Sequence, residues 1–234
     1  DIDGEASPDE FGHSVSLSVN GKTLTIGGRG NNGNGDDSGH IRIYQYDGSS
    51  WQQLGTDIDG EASLDKSGQA VSLSADGTVV AIGADLNDGN GNDSGHVRVY
   101  QYDGTNWQQI GTDIDGEAPG DGSGWSVSLS ADGNTLAIGA KLNDGNGNIA
   151  GHVRVHAYDG IDWQQLGSDI EGEASPDEFG HSVSISANGR ILAIGARGND
   201  ANGQGAGHVR IYQYDGSSWL QLGADIDGEA SLDK

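Results

Sequence analysis

Residues 57–112 read DIDGEASLDKSGQAVSLSADGTVVAIGADLNDGNGNDSGHVRVYQYDGTNWQQIGT, and close copies of this stretch fill the rest of the chain. The opening hexapeptide, DIDGEA or DIEGEA, stands at Asp1, Asp57, Asp113, Asp169 and Asp225. The period is therefore 56 residues throughout. Self-similarity at a fixed period of this length is typical of a repeat protein, whose units pack on their neighbours.

The period predicts a single repeat domain over residues 1–234. Four complete units lie at 1–56, 57–112, 113–168 and 169–224, and residues 225–234 begin a further unit. Because one unit buries little by itself, we expect the hydrophobic core to lie between neighbouring units.

Each unit carries the pattern of four short strands joined by tight turns. In unit 57–112, apolar and small residues alternate at 71–74, Val80 and Ile82 mark a second alternating strand, and HVRVYQY at 96–102 follows as a third. Asp76-Gly77 and Asp103-Gly104 are hairpin turn signals. The predicted fold class is therefore all-β: a β-propeller built of four-stranded antiparallel blades, one blade for each 56-residue repeat.

Short motifs recur near the ends of the predicted strands. Phe11-Gly12 and Phe179-Gly180 stand in the first and fourth units, and Ile82-Gly83-Ala84 ends a predicted strand in the second. Gly39-His40-Ile41-Arg42-Ile43-Tyr44 begins another. These residues resemble FG-GAP repeats, the blades of the integrin α-subunit head. The second and third units depart from the pattern, with Ser67-Gly68 and Ser123-Gly124 in place of Phe-Gly.

The resemblance implies a β-propeller that serves in recognition or adhesion outside the cell. That family often holds calcium in the first hairpin of a blade, in an Asp-x-Asp-x-Asp-Gly loop. The corresponding turn here, Val19-Asn20-Gly21-Lys22, is too short and offers too few oxygens. The calcium site of the family is therefore not carried over to this chain.

Charge and composition exclude several functions. Thirty-six Asp and Glu against 11 Lys and Arg give a net charge of −25, which disfavours nucleic acid and anionic lipid as partners. The chain has no cysteine, so it has no disulfide framework and no thiolate metal site. Its apolar runs are too short to insert into a membrane. We expect an extracellular or cell-surface protein.

Two acidic segments of each unit are predicted to lie on one edge of the propeller, where they could bind Ca²⁺. Calcium takes six to eight oxygen ligands, and these segments place carboxylates and amides at alternating positions among glycines. The candidate ligands are Asp57, Asp59, Glu61, Asp88, Asn90, Asn92, Asp93, Asp113, Asp115, Glu117, Asp144 and Asn146. The alternative is a set of solvated turns, in which Asn, Asp and Gly are common for other reasons.

Three further side chains recur once in each unit. The histidines are His40, His96, His152 and His208, and the arginines are Arg42, Arg98, Arg154 and Arg210. We predict a structural role for the histidines at strand starts, and pairing of each arginine with a carboxylate of its own or the next unit. The tryptophans, Trp51, Trp107, Trp163 and Trp219, are predicted packing anchors. An aromatic residue in every blade is also compatible with a carbohydrate-binding propeller lectin.

The predicted function is extracellular recognition or adhesion by an FG-GAP-like propeller, with calcium as a candidate stabilising ion. The alternatives are a structural subunit of an extracellular filament or surface layer, and a lectin. We predict no enzyme, because every candidate catalytic group recurs in each unit whereas an active site gathers unlike residues. An open array of four blades would expose two apolar end faces, which we expect a protein partner or further copies of the chain to cover.

Overall fold

The computed structural model describes residues 2–231 and contains, within that range, twenty β-strands and no helix. Sheet 1 comprises β1 (Phe11–Leu17), β2 (Thr23–Gly28), β3 (His40–Tyr46), β4 (Trp51–Gln53) and β5 (Ile58–Asp59). Sheet 2 comprises β6 (Ala70–Leu73), β7 (Val79–Ala84), β8 (His96–Tyr102), β9 (Trp107–Gln109) and β10 (Ile114–Asp115). The described residues contain no helix that could span a membrane.

Sheets 3 and 4 repeat this arrangement. Sheet 3 comprises β11 (Ser126–Leu129), β12 (Thr135–Ala140), β13 (His152–Tyr158), β14 (Trp163–Gln165) and β15 (Ile170–Glu171). Sheet 4 comprises β16 (Phe179–Ile185), β17 (Ile191–Ala196), β18 (His208–Tyr214), β19 (Trp219–Gln221) and β20 (Ile226–Asp227). The predicted all-β propeller fold with four-stranded antiparallel blades is confirmed.

The fifth strand of each sheet is a feature that the sequence did not indicate. It pairs antiparallel with the third strand and comes from the beginning of the next sequence unit, as Ile58 pairs with Ile41 and Asp59 with His40. Each sheet therefore extends across a unit boundary of the sequence. The limits assigned to the whole domain and its units stay a prediction, and residues Asp1 and 232–234 lie outside the described range.

Tight turns hold the first two strands of each sheet together. In sheet 2 the hydroxyl of Ser74 donates a hydrogen bond of 2.7 Å to Oδ1 of Asp76, which also accepts the amide of Thr78 at 3.0 Å. Gly77 completes the turn at φ 79°, in the left-handed region that favours glycine. Such local bonds explain why Asp-Gly and Asn-Gly mark this turn in every unit.

The core lies between the sheets, as predicted. Leu73 of sheet 2 packs in one cluster with Ile41 and Ile43 of sheet 1, and Trp107 of sheet 2 joins the same cluster. We call the side of a sheet that packs on the preceding sheet its leading face, and the side that receives the following sheet its trailing face. Each inner sheet has both faces covered, so its strands are apolar on both sides.

The four sheets form an open arc. Leu17 on the leading face of sheet 1 is 54% exposed, whereas the equivalent Leu73 is 8% exposed. Ile226 on the trailing face of sheet 4 is 57% exposed, whereas the equivalent Ile58 is 7% exposed. Within residues 2–231, the two ends of the arc therefore do not cover each other.

Candidate functional site: a repeated cluster between sheets

The DIDGEA segment connects each sheet to the next. We call residues 57–66, 113–122 and 169–178 the joint segments. The first half of a joint segment supplies the fifth strand of the preceding sheet, as described for Ile58. The second half folds against the following sheet, where Oδ2 of Asp65 accepts hydrogen bonds of 3.0 Å from Nδ2 of Asn87 and from the amide of Ala62. A joint segment is thus bonded to two sheets at once.

Each unit carries a glutamate, a histidine and an arginine that form a cluster with the first aspartate of the next unit. In the second unit, Nδ1 of His96 lies 3.9 Å from Oε2 of Glu61 and 3.8 Å from Oδ2 of Asp113. Nη1 of Arg98 lies 3.3 Å from Oε1 of Glu61. The equivalent clusters are Glu5, His40, Arg42 and Asp57; Glu117, His152, Arg154 and Asp169; and Glu173, His208, Arg210 and Asp225.

The guanidinium group ties carboxylates of successive units together. Arg42 forms an ion pair with Glu5 and donates from Nε to Oδ2 of Asp57 at 3.1 Å. Arg210 donates two hydrogen bonds to Asp225, of 3.0 and 2.8 Å. The predicted pairing of each arginine with a carboxylate of its own or the next unit is therefore confirmed. Charge-assisted pairs of this kind fix geometry as well as adding attraction.

The histidines of two clusters, His96 and His152, are buried and uncharged at neutral pH. Burial first, and the nearby Arg98 second, lower the pKa of His96 to about 4. Burial and Arg154 lower the pKa of His152 to about 4 in the same way. A neutral imidazole with two carboxylates is a donor set that suits a transition metal. The guanidinium already pairs with the glutamate of each cluster and repels a cation, so a metal would have to compete with the arginine for this place.

The predicted calcium ligands fall into two groups. The joint residues Asp57, Glu61, Asp113 and Glu117 lie in the clusters, where they face arginine and histidine. Asp59 and Asp115 lie on the fifth strands, and their backbone carbonyls accept hydrogen bonds from Arg98 and Arg154. Burial and the neighbouring Asp113 raise the pKa of Asp115.

The loop residues bond to their own loop or to the joint. Oδ1 of Asp88 accepts the amide of Asp93 at 2.8 Å, and Oδ1 of Asp144 accepts the amide of Ile149 at 2.7 Å. Nδ2 of Asn92 donates to Asp93 at 2.6 Å.

Two asparagines join the loops to the joint segments. Nδ2 of Asn90 donates to the carbonyl of Gly116 at 2.8 Å, and Nδ2 of Asn146 donates to that of Gly172 at 2.7 Å. The loops and joint segments therefore meet on one edge, as predicted. The structure brings together Glu61 and Asp113, but the loop side chains face separate partners; calcium binding stays a prediction.

Sequence reasoning assigned the four histidines a structural role and did not place them beside the acidic residues. The signal was present, because Glu61, His96, Arg98 and Asp113 all recur with the same period. The period shows that such residues occupy equivalent places, but it does not show which of them meet.

Trp107 and Trp163 are packing anchors, which confirms the prediction for these two tryptophans. Nε1 of Trp107 donates to the carbonyl of Leu54 at 2.8 Å, and Nε1 of Trp163 donates to that of Ile110 at 3.0 Å. Both indoles are buried between sheets. A stacking platform for sugars needs an exposed aromatic face, which these two side chains do not offer.

Protonation of buried histidines should destabilise the chain in mild acid. His96, His152 and His156 each have a pKa lowered to about 4, mainly by burial. Because an unfolded histidine titrates near pH 6.5, the unfolded chain binds more protons between pH 6.5 and 4. The stabilisation is therefore complete above pH 6.5 and is lost as the pH falls toward 4. The expected slope is at most about 1.4 kcal/mol per pH unit for each histidine.

His156 offers a matched test of this pH dependence, because the equivalent residues are Tyr44, Tyr100 and Tyr212. Urea unfolding should show that the free energy of unfolding falls less steeply between pH 7 and 5 in His156→Tyr than in the unmodified chain. The difference between the two slopes corresponds to about one bound proton. Burial raises the pKa of Asp85 to about 6, which acts in the opposite sense below that pH in both proteins. An unchanged slope in the variant would contradict the assignment of His156.

Comparison with known proteins gives one family and a set of similar folds. Residues 171–212 match the family model of the FG-GAP repeat. No curated protein matches the chain. A structure from Bacteroides uniformis, named as a candidate 6-phosphogluconolactonase, has a TM-score of 0.63 at 16% identity, over 95% of this chain and 58% of that one.

Two further structures have the same kind of fold. Another candidate 6-phosphogluconolactonase, from Bacteroides fragilis, has a TM-score of 0.60 at 15% identity over 92% of this chain and 55% of that one. The hydrazine synthase of Kuenenia stuttgartiensis has a TM-score of 0.58 at 12% identity over 97% and 52%. The chain therefore spans little more than half the length of each of these proteins.

These names overturn the prediction that the chain is not an enzyme. That prediction took the repetition of every polar group as a sign against catalysis. Two of the similar folds are nevertheless named as candidate enzymes, so repeated blades do not exclude an active site. At these identities the similarity itself shows the fold alone. The FG-GAP match over residues 171–212 and the four repeated antiparallel sheets fit an FG-GAP-like propeller.

Proposed function

We propose that the chain is an extracellular or cell-surface module for recognition or adhesion, of the FG-GAP-like propeller type. We further propose that it meets its partner with one acidic edge. This edge consists of loops 32–37, 88–93 and 144–149 together with joint residues 59–64, 115–120 and 171–176.

The observation that carries this proposal is the repetition of exposed acidic groups along one edge. Asp88 and Asp144 are exposed at equivalent places in neighbouring units, and so are Glu61 and Glu117. Regularly spaced charges of one sign favour a cationic partner, either a basic protein surface or one bridged by a divalent ion. Several weak contacts in a fixed array also add to each other through multivalency.

The edge residues offer a direct test of partner binding. A fluorescent lysine-rich peptide should bind the chain at low salt, and binding should weaken in the variant Asp88→Asn/Asp144→Asn by about tenfold. Asparagine keeps the oxygen that accepts the loop amides, so the loops should stay folded.

The matched control is Asp103→Asn/Asp159→Asn, which removes the same charge from hairpin turns on the opposite edge. In those turns backbone amides lower the pKa of both aspartates, and asparagine can still accept these bonds. Equal weakening in both variants would contradict the acidic edge as the binding surface.

We also expect calcium to stabilise the module through the same edge. Adding millimolar Ca²⁺ after dialysis against a chelator should raise the thermal midpoint, because a ligand of the folded state alone shifts unfolding by mass action. The rise should be smaller in Asp115→Asn/Glu117→Gln than in the opposite-edge control. A midpoint that calcium does not move would remove the ion from this proposal.

A further inference from the structure

The three interfaces inside the chain are built in the same way. A Cβ atom placed on Gly83 of sheet 2 would lie 2.1 Å from the carbonyl oxygen of Gly124 in sheet 3. At Gly139 the distance to the oxygen of Gly180 in sheet 4 would also be 2.1 Å. The backbone of each following sheet therefore rests directly on a glycine of the trailing face before it.

Hydrogen bonds accompany this contact. The hydroxyl of Ser126 donates to the carbonyl of Gly180 at 2.8 Å, and that of Ser128 accepts the amide of Ile185 at 3.0 Å. The equivalent bonds between sheets 1 and 2 run from Ser14 to Gly68 and from Leu73 to Ser16. The interface is thus specified by small residues and backbone groups as well as by apolar packing.

The trailing face of sheet 4 has the same groups, and within residues 2–231 no sheet packs on it. The three atoms nearest to a Cβ on Gly195 all belong to Ser182 of the same sheet. A cavity of about 420 Å³ opens here, lined by Ser182, Gly195, Gly207, Val209 and Ile226 among others. In the inner sheets this place is filled by the backbone of the next sheet, such as Ser123-Gly124 against Gly95 and Gly83.

The leading face that would fill this cavity is present at the other end of the chain. Strand β1 reads FGHSVSL and β16 reads FGHSVSI, so sheet 1 presents nearly the same leading face that sheet 3 receives from sheet 4. Likewise β18 reads HVRIYQY and β3 reads HIRIYQY. The trailing face of sheet 4 therefore resembles the trailing face of sheet 1, on which sheet 2 packs. Both halves of one further interface therefore lie unpartnered in the described residues.

We propose that the trailing face of sheet 4 binds the leading face of sheet 1 of a second copy of this chain. Phe11-Gly12 of the second copy enters the cavity against Gly207 and Gly195. The hydroxyl of Ser182 donates to the carbonyl of Gly12, and that of Ser184 accepts the amide of Leu17. Leu17 and Ile226 then join one apolar cluster, as Leu73 and Ile58 do inside the chain.

Each end also holds a part of the joint. Strand β20 pairs with β18 at the end of sheet 4, and Glu5 forms an ion pair with Arg42 at the start of sheet 1. Residues 229–231 of one copy and residues 5–7 of the other would occupy the same position in this interface. One of the two segments must therefore be displaced. The segment that stays makes the same contacts, because both read EAS.

The number of sheets in two copies is compatible with a closed ring. The chain covers 58% and 55% of the length of two similar structures. Two copies supply eight sheets, which lies within the range of known propellers. A head-to-tail interface whose rotation closes gives a ring of defined size, and we expect a dimer.

Sedimentation equilibrium of the full chain tests the proposal. The unmodified chain should be a dimer at high micromolar concentration. Gly195→Val should weaken association at least about 30-fold by filling the docking place of Gly12, and Leu17→Glu should do so by placing a charge in the interface. Ile161→Glu, which changes a residue 82% exposed in a hairpin turn, should still dimerise.

A mixture of the two variants decides the orientation. Gly195→Val keeps its leading face and Leu17→Glu keeps its trailing face, so together they form one intact interface and should associate although neither does so alone. Circular dichroism and the thermal midpoint confirm that each variant is folded. A chain that stays monomeric, dimers that survive either variant, or a mixture that stays monomeric would each overturn the proposal.

Discussion

Trp163→Ala should lower the free energy of unfolding by about 3–5 kcal/mol, the range for removing a large aromatic side chain from a core. The indole is 7% exposed and packs in a cluster with Val79, Val97 and Ile114 of the preceding sheet. Alanine would also leave the carbonyl of Ile110 without its hydrogen bond from Nε1. For a chain of this size the loss corresponds to a fall in the thermal midpoint of roughly 6–20 °C.

Trp51→Ala is the matched control for this substitution. Trp51 occupies the same place in its unit, but no sheet precedes sheet 1 within residues 2–231, and the side chain is only half buried. Its removal should cost less than half as much, as measured by urea unfolding of both variants at micromolar concentration. Equal losses would show that the tryptophan stabilises its own sheet rather than the interface.

Gly83→Val should destabilise the chain by about 3 kcal/mol or more, at the upper end of the range for overpacking. Gly83 lies inside the regular strand β7, where valine is otherwise a favoured residue. Its Cβ would nevertheless lie 2.1 Å from the carbonyl oxygen of Gly124, which belongs to the backbone of the next sheet. Sheets 2 and 3 would have to separate, because a backbone atom cannot rotate away as a side chain can.

Gly195→Val is the control. Gly195 occupies the equivalent position in strand β17 of sheet 4, and the three atoms nearest to a Cβ placed on it belong to Ser182. The hydroxyl of this exposed serine can rotate away, so the monomer should lose less than about 1 kcal/mol. Thermal unfolding of both variants at a concentration that keeps the chain monomeric provides the comparison. If the two variants were equally stable, the close contact at Gly83 would not limit sheet packing.

The sequence predicted the strands and turns well because their signals are local. Alternation at 71–74 and the Asp76-Gly77 turn depend on neighbours within a few residues, and the structure has a hairpin there. The period then placed equivalent residues in every unit. The fifth strand was missed because Ile58-Asp59 is too short to give an alternating pattern and pairs with β3, which lies in the preceding unit.

The acidic edge was predicted only in part. Its position follows from the alternation of loops between the two edges of a four-stranded sheet, and Asn90 bonded to Gly116 bears this out. The direction of each side chain does not follow from the pattern. The amide of Asn90 points toward carbonyl oxygens, and Asp88 closes its own loop.

By itself, the sequence determined the repeat, the all-β class and the composition of each blade, since period, alternation and turn residues act over short distances along the chain. Only the tertiary structure decided that Glu61, His96, Arg98 and Asp113 form one cluster, because strands β8 and β10 and a joint segment bring them together. It also decided that Leu17 and Ile226 are exposed while Leu73 and Ile58 are buried. Equivalent residues in equivalent units differ in this way because burial depends on whether a neighbouring sheet is present.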